Sequence, residues 1–295
     1  MDNELMLFDR IEVIKTTIKK YGEDNFYLSF SGGKDSTILH HLLDEALPNN
    51  HIPRVYIDTG IEYLAIREFV MNLAKSDERI KIIKPTKPIK QILETYGYPF
   101  KSKEHSLKLH QWQQGFTDTN YIKKYLGNGN FSCPKQLKYQ FSKDFTLKVS
   151  NLCCYKLKKE PAHKWEKENH RPIAITGMRK QEGGERATIK GCIITDKSGK
   201  VKRFHPLLVV SDEWEEWYRE RERVQLAPLY YPPFNFKRSG CKGCPYNTSL
   251  QEDLSVMALY LPKEREQCEF IWKPVYDEYR RIGYRLDKWE QMRLF

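Results

Sequence analysis

Apolar residues in the first half of the chain follow two patterns: short continuous runs and the spacing of a helix. The run Phe26–Phe30 has the length and aromatic content of a buried strand, and apolar residues then recur at helical spacing over 38–47. A second helix of this kind is predicted over 64–73. Further strands are predicted at 54–58, 81–84 and 172–176. Alternating strands and helices predict an α/β fold with a parallel sheet, whose ligands bind at the carboxyl ends of strands.

The remaining segments have a different pattern. Residues 97–160 are polar, aromatic and basic with weak periodicity, and we interpret them as a mostly helical insertion. Helices are predicted near the end of the chain at 251–260 and 263–281. We therefore predict one domain over 1–246, which contains the insertion, and a helical C-terminal extension over 247–295.

A glycine turn joins the first strand to the first helix. It reads Ser31-Gly32-Gly33-Lys34-Asp35-Ser36, so two glycines let the backbone approach an anion at the start of a helix. Lys34 adds a positive charge, and the serines add hydroxyl donors. The spacing differs from the Walker loop, in which four residues separate the first glycine from Gly-Lys-Ser/Thr. The turn predicts a binding site for the phosphate of a nucleotide. The alternative is an ordinary glycine turn in which the lysine occurs by chance.

The charge and composition of the chain indicate which kinds of partner it binds. The 295 residues are 40% hydrophobic and carry a net charge of +11, which favours anionic partners such as nucleotides or nucleic acids. Residues 121–160 contain nine lysines and two acidic residues. This segment is either a contact surface for a polyanion or a solvated face of the protein. No apolar run approaches membrane-spanning length, and the start Met1–Glu4 is not a signal peptide, so we expect a cytoplasmic protein without a membrane partner.

Four of the seven cysteines have a specific arrangement. Cys153 and Cys154 are adjacent, and Cys241 and Cys244 form a Cys-x-x-Cys pair. Neighbouring cysteines cannot easily form a disulfide with each other, and a vicinal pair is unusual in a zinc ribbon. Four thiolates suit a 4Fe-4S cluster. The residues alone leave a cluster, structural zinc and unligated thiols as alternatives.

These motifs together resemble a known family. Ser31–Ser36 is similar to the PP-loop of the ATP pyrophosphatase, or adenine nucleotide alpha-hydrolase, superfamily, which has a Rossmann-like parallel-sheet core. The cysteine spacing resembles the 4Fe-4S signature of adenylyl-sulfate (APS) reductases. Asp58-Thr59-Gly60, and Thr176-Gly177-Met178-Arg179 with Arg186 downstream, resemble segments of phosphoadenosine phosphosulfate (PAPS) reductase-like proteins. The similarity extends over roughly residues 25–246.

The resemblance implies particular roles for residues of this chain. The nucleotide, either ATP with Mg²⁺ or APS or PAPS, would be bound by Ser31, Gly32, Gly33, Lys34, Asp35, Ser36, Asp58, Thr59, Gly60 and Gly177. Residues with catalytic roles would be Lys34, Asp35, Arg179 and Arg186. The 4Fe-4S cluster would be ligated by Cys153, Cys154, Cys241 and Cys244.

The chain departs from the reductase pattern at its C-terminus. APS and PAPS reductases carry a nucleophilic cysteine there in a Glu-Cys-Gly-His-like motif, and Leu286–Phe295 contains none. Cys268 lies among acidic residues of a predicted helix and is expected to be a half-buried helix residue. Cys192 lies beside apolar residues and is expected in the core. Cys133 lies in the basic insertion, where positive charge would lower its pKa.

Three functions are compatible with these residues. We favour an ATP-dependent sulfurtransferase that adenylates an acceptor, with nucleic acid as a candidate acceptor and a sulfur donor protein as partner. The second is an APS or PAPS reductase that releases sulfite with a thioredoxin-like reductant. The third is a non-catalytic nucleotide or cluster sensor. The sequence makes no prediction about the oligomeric state.

Overall fold

The computed structural model describes residues 2–129 and 132–288 and contains two compact units. The sheet unit comprises residues up to Asp58, 62–84 and 161–239. The cysteine unit comprises residues 59–61, 85–160 and the chain from Gly240 onward. The predicted domain boundary at 246 stays a prediction.

A six-stranded sheet forms the centre of the sheet unit. Its strands are β1 Phe26–Ser29, β2 Arg54–Ile57, β3 Ile80–Ile83, β4 Ile173–Ile175, β5 Ile193–Thr195 and β6 Val201–Phe204. They lie in the order β3-β2-β1-β4-β6-β5, and all neighbours are parallel except β5, which is antiparallel to β6. The predicted α/β, Rossmann-like fold with a parallel sheet is confirmed. Strands β5 and β6 were not among the predicted strands.

The α-helices of the described residues are α1 Asn3–Tyr21, α2 Lys34–Ala46, α3 Leu64–Ser76, α4 Ile89–Tyr96, α5 Lys103–Gln113, α6 Asn120–Leu126, α7 Glu160–Glu168, α8 Asp212–Arg221, α9 Leu250–Tyr260 and α10 Pro262–Ile282. A short π-helix, Tyr155–Lys159, follows the vicinal cysteines and runs into α7. No helix in the described part of the chain is long and apolar enough to cross a membrane.

The hydrophobic core of the sheet unit lies between the sheet and its helices. Phe26 and Leu28 of β1 are fully buried, as are Ile38 and Leu42 of α2. Helix α1, which was not predicted, is capped at its N-terminus by Asp2, whose carboxylate accepts a hydrogen bond from Glu4 N. Its buried positions include polar Arg10 and Thr17. These residues interrupt the apolar stripe by which the helix would otherwise be recognised in the sequence.

A buried arginine joins β2 to the end of α2. The Arg54 side chain is fully buried and donates hydrogen bonds to Asp44 Oδ1 at 2.6 Å, Asn50 Oδ1 at 2.7 Å and His40 Nδ1 at 3.2 Å. Burial, and the positive charge of Arg54, lower the pKa of His40 to about 4. His40 is therefore neutral, and its Nδ1 accepts a hydrogen bond from Arg54 Nε. This network fixes α2, which carries the predicted phosphate site at its other end.

Aromatic residues of α10 organise the cysteine unit. Trp272 Nε1 donates to Lys242 O at 3.0 Å, and Tyr279 Oη donates to Pro245 O at 2.9 Å. Tyr276 Oη donates to Gly243 O. Three side chains of one helix therefore hold the Cys241–Cys244 turn.

Candidate functional site

The turn between β1 and α2 has the geometry of an anion cradle. Gly32 has a φ of 68°, and a Cβ there would lie 2.5 Å from Val70 Cγ2, so glycine is required. Gly33 is the N-cap residue of α2. Its carbonyl oxygen accepts hydrogen bonds from the hydroxyls of Ser36 at 2.9 Å and Thr37 at 3.0 Å. The turn therefore directs the positive end of the helix dipole at this site.

Hydroxyl groups line the cradle. Ser31 Oγ lies 3.0 Å from Ser36 Oγ and accepts a hydrogen bond from Gly33 N at 3.3 Å. Tyr230 Oη accepts a hydrogen bond from Lys34 N at 3.1 Å and donates one to Ser239 Oγ at 2.5 Å. The Tyr230 hydroxyl therefore occupies a backbone donor that a phosphate oxygen could use.

Five charged side chains meet beside the first turn of α2: Lys34, Asp35, Arg179, Asp212 and Glu215. Arg179 Nη2 lies 2.7 Å from Asp212 Oδ1, 3.0 Å from Glu215 Oε2 and 3.3 Å from Asp35 Oδ1. Lys34 Nζ lies 3.1 Å from the same Glu215 oxygen and 3.9 Å from Asp212 Oδ1. Two cations therefore face three carboxyl groups.

Burial and these charges shift the pKa values of the cluster. Burial, followed by the charge of Asp35, raises the pKa of Glu215 to about 8. The pKa of Asp212 is lowered, first by its hydrogen bond from Arg179. Burial lowers the pKa of Arg179, but the charges of Glu215 and Asp35 outweigh it and the net shift is upward. Arg179 therefore stays a cation, whereas burial and the charge of Asp35 favour the neutral form of the Glu215 carboxyl.

The loop after β4 packs directly on the cradle. A Cβ on Gly177 would lie 2.9 Å from both the carbonyl carbon and the oxygen of Asp35. This close approach places Arg179, two residues later, against the start of α2. Gly177 therefore positions Arg179 through backbone contact.

The other predicted site residues have different surroundings. Asp58 is buried and pairs with Arg67, whose Nε lies 3.2 Å from Asp58 Oδ2. Thr59 and Gly60 belong to the cysteine unit, where Thr59 Oγ1 accepts a hydrogen bond from Ile61 N at 3.4 Å. Arg186 is part-exposed and pairs with Glu182. Burial, followed by the charge of Arg238, lowers the pKa of Arg186.

Sequence reasoning missed Asp212, Glu215, Tyr230 and Ser239. Asp212 and Glu215 are three residues apart on α8, after the N-cap Ser211, and therefore share a helix face. An acidic pair at this spacing is common on exposed helices. Nothing local in the sequence indicates that Glu215 is fully buried beside Lys34.

The four predicted cluster ligands all lie in the cysteine unit. Cys153 Sγ donates to Cys154 Sγ at 4.0 Å, and this bond is the largest cause that lowers the pKa of Cys154 to about 6. The same bond is the largest cause that raises the pKa of Cys153, and the charges of Cys244 and Cys241 contribute. The four sulfur atoms are therefore close enough to interact. Within the described ranges, no three His, Cys, Asp or Glu side chains are arranged to hold a metal ion.

The remaining three cysteines differ in accessibility. Cys268 is fully buried, and burial raises its pKa to about 12. Cys133 is also buried, and desolvation raises its pKa to about 11 although Lys101 opposes this. The expectation that the basic segment lowers the pKa of Cys133 is wrong, because burial outweighs the lysines. Cys192, expected in the core, is half-buried and accepts a hydrogen bond from Arg10 at 3.6 Å.

A parallel sheet, with a Gly-Gly-Lys turn between its first strand and the following helix, defines an α/β protein of the PP-loop class. The model of the phosphoadenosine phosphosulfate reductase domain matches residues 25–128 and 130–283. The chain belongs to the phosphoadenosine phosphosulfate reductase domain family. This assignment agrees with the resemblance found in the sequence.

Individual relatives are distant. An uncharacterised protein of Methanocaldococcus jannaschii is 30% identical over 128 residues, which are 40% of this chain and 29% of that protein. The phosphoadenylyl-sulfate reductase of Candida auris, a phosphate complex, is 15% identical, with 78% of this chain and 93% of that chain covered and a TM-score of 0.45. The U34-tRNA thiolase of Methanococcus maripaludis, with its [4Fe-4S] cluster, is 14% identical, with 97% and 82% covered and a TM-score of 0.40.

Proposed function

We propose that the chain is a nucleotide-dependent enzyme that binds the polyphosphate of ATP in the cradle and transfers adenylate to an acceptor. The observation that carries this proposal is the convergence of Lys34 Nζ and buried Arg179 beside the N-terminus of α2. Such a site combines a helix dipole, backbone donors and two cations, which are the groups that hold a polyphosphate. Membership of the family supports nucleotide binding as the role of this turn.

The proposed reaction has two steps. An acceptor oxygen attacks the α-phosphorus of ATP, and pyrophosphate leaves with the charge that Lys34 and Arg179 neutralise. A sulfide-level sulfur nucleophile from a donor protein then displaces AMP, which departs with the acceptor oxygen. Arg186 would close over the anion, and Asp35 and part-exposed Asp212 offer oxygen ligands for Mg²⁺ bound with ATP.

We further propose that Cys153, Cys154, Cys241 and Cys244 bind a 4Fe-4S cluster, which would supply an electron-transfer or sulfur-binding centre. Four thiols in one unit, mutually close and with one already of low pKa, suit this donor set.

Nucleic acid is the acceptor that the charge distribution favours. Residues 85–160 contain fourteen lysines, no arginine and five acidic residues, so they carry nine of the eleven net positive charges. Exposed lysines in this segment include Lys124, Lys135 and Lys143. A concentrated positive charge of this kind binds a phosphate backbone by counterion release.

Reduction of APS or PAPS with release of sulfite is the second candidate, because the family is that of PAPS reductase. It needs an accessible, nucleophilic thiol that attacks sulfur. Cys133 and Cys268 are buried and have raised pKa values. Half-buried Cys192, beside Arg10, is the remaining thiol outside the proposed cluster. Two of the three thiols outside the proposed cluster therefore fail this requirement, and reduction would depend on Cys192, which makes it the second candidate.

The decisive experiment is anaerobic purification followed by separate incubation with ATP and with APS. ATP with Mg²⁺, an RNA or DNA acceptor and a sulfide donor should release pyrophosphate and AMP and give a thiolated acceptor. APS with a thiol reductant should release little sulfite. Rapid thiol-dependent sulfite release, lost in Cys192→Ser or Cys133→Ser, would establish the reductase instead. Nucleotide binding without turnover of either would indicate a sensor.

A further inference from the structure

Backbone N–H groups of the cradle donate to hydroxyl groups of the protein itself. Ser31 N donates to Ser36 Oγ at 3.2 Å, and Gly33 N donates to Ser31 Oγ at 3.3 Å. Lys34 N donates to Tyr230 Oη at 3.1 Å. A hydroxyl oxygen and a phosphate oxygen both accept hydrogen bonds from such a group. The three hydroxyls therefore occupy donors that the oxygens of an anion would use.

The three acceptors differ in their position along the chain. Ser31 and Ser36 belong to the cradle, so their bonds fix the conformation of the turn itself. Tyr230 follows Lys34 by 196 positions and reaches the cradle from the segment after α8. The bond to Tyr230 can therefore be broken by movement of one side chain, without any change within the turn.

The 228–239 segment holds Tyr230 in place. Tyr230 Oη donates to Ser239 Oγ at 2.5 Å, so this hydroxyl both donates and accepts a hydrogen bond. Ser239 lies against the glycine turn, since a Cβ on Gly33 would be 2.7 Å from Ser239 Oγ. Phe236 of the same segment is buried and anchors it. The Tyr230 hydroxyl is thus held at the cradle by its own segment.

We propose that Tyr230 is a further residue of the anion site, where its hydroxyl competes with a ligand oxygen for the Lys34 N–H. A polyphosphate in the cradle would take this N–H, and Tyr230 Oη would keep its bond to Ser239 Oγ. Tyr230 is a positioning residue, which acts on the ligand through the backbone of Lys34 and lowers its affinity. The ligand part of this inference rests on the proposed nucleotide site, whereas the hydrogen bond is a property of the protein alone.

The sign of the effect follows from the bonds that are exchanged. Binding breaks one hydrogen bond between neutral groups and forms a stronger one to a charged oxygen. Without the tyrosine hydroxyl, no bond has to be broken first. One neutral hydrogen bond changes an equilibrium constant by about two- to tenfold. Tyr230→Phe should therefore bind an anion more tightly than the wild-type protein by a factor in this range.

Tyr231→Phe is the matched control. The Tyr231 hydroxyl also accepts a hydrogen bond from a backbone N–H group, that of Leu226, at 3.2 Å. Each substitution therefore removes one bond of the same type from the same segment, and the two should affect stability similarly. Only Tyr230→Phe should raise the affinity for an anion. A merely structural role of Tyr230 would leave the affinity unchanged or lower it.

The hydrogen bond is tested by amide hydrogen exchange, measured by NMR on the full chain without added ligand. The Lys34 N–H should exchange at least threefold faster in Tyr230→Phe than in the wild-type protein and at the wild-type rate in Tyr231→Phe. The Thr37 N–H, which donates to Gly33 O at 3.0 Å, reports on α2 itself and should be unaffected in both variants. Equal Lys34 rates in the wild-type protein and Tyr230→Phe would refute the bond and the inference with it.

The competition is tested by calorimetric titration of the three proteins with pyrophosphate. Tyr230→Phe should bind it about two- to tenfold more tightly than the wild-type protein, and Tyr231→Phe should bind it with wild-type affinity. An unchanged or lower affinity of Tyr230→Phe would refute the competition. If the Lys34 N–H exchanges as expected but none of the proteins binds pyrophosphate, the proposed nucleotide site and the ligand part of the inference both fail, while the hydrogen bond stands.

Discussion

Lys34 differs from the other lysines of the chain in its surroundings. It lies at the first position of α2, its Nζ pairs with buried Glu215 at 3.1 Å, and its backbone N–H is held by Tyr230. A charged donor in such a place contributes more to anion binding than an exposed lysine, because the site is partly desolvated.

We expect Lys34→Ala to weaken ATP or APS binding by at least tenfold. The loss of a charged donor to a buried phosphate costs about 2–5 kcal/mol, and about 1.4 kcal/mol is a factor of ten. Isothermal calorimetry measures the affinity. Lys202→Ala, which removes an exposed lysine of β6, is the control. Equal affinities in the two variants would exclude Lys34 from the binding site.

The proposed cluster ligands are tested at the same scale. Protein purified anaerobically from iron-replete cells should be brown and contain about four irons per chain, and Cys→Ser at any of the four positions should lower the iron content. Cys192→Ser is the control and should leave the iron content unchanged, because Cys192 is not one of the proposed ligands. Stoichiometric zinc without iron in the wild-type protein would contradict the cluster.

Local patterns in the sequence predicted part of this site, and tertiary structure supplied the rest. The glycine turn and Lys34 are adjacent in sequence, so one strand-turn-helix unit was sufficient to indicate them. Glu215 follows Lys34 by 181 positions, and its burial depends on where α8 packs. The pKa of Cys133 was wrongly predicted because sequence reveals neighbouring charges but not desolvation.

At the scale of elements, the contact between the loop after β4 and the start of α2 determines the site geometry. Gly177 has no side chain, so the backbone of the loop touches the backbone of Asp35 at this contact. Any Cβ at this position must displace either Asp35 or the loop that carries Arg179.

Gly177→Ala should therefore lower the free energy of unfolding by about 1–3 kcal/mol, as is typical of overpacking, and weaken ATP binding. Urea denaturation and calorimetry give the two quantities. Gly191→Ala is the matched control, since a Cβ there meets nothing within 4 Å. If both variants are as stable as the wild-type protein, the close packing at Gly177 is not a constraint.

The elements themselves were unequally predictable. Strands β1 and β2 each contain three consecutive apolar residues and three buried positions, and their bounds were predicted to within about one residue. Strands β5 and β6 are three and four residues long, are mostly part-exposed and contain polar residues. Their pairing depends on the sheet that precedes them, so short-range periodicity could not detect them.

For the whole molecule, the uneven charge distribution has a measurable consequence. If the lysine-rich segment 85–160 binds nucleic acid, log K should fall linearly with log salt concentration. Changing Lys124, Lys135 and Lys143 to Gln should reduce the slope for single-stranded RNA by about 2. Fluorescence anisotropy at several salt concentrations measures it.

The control for this experiment neutralises three exposed lysines of the sheet unit: Lys15, Lys197 and Lys202. Both triple variants have the same net charge, so a general effect of charge would alter both slopes equally. A difference between them locates the contact, and equal slopes would argue against a nucleic-acid surface on 85–160.

The hydrogen bond from Trp272 to Lys242 also makes the Cys241–Cys244 turn optically observable. Trp272 is 1% exposed, and its indole contacts the residue between two proposed ligands. A coloured iron–sulfur centre nearby would accept excitation energy from this indole, so emission from the loaded protein would be quenched. Chelation or oxidation of the centre would restore emission, and Trp272→Phe would remove most of the change. With the proposed cluster bound, Trp272 would serve as a fluorescent reporter of metal occupancy built into the chain.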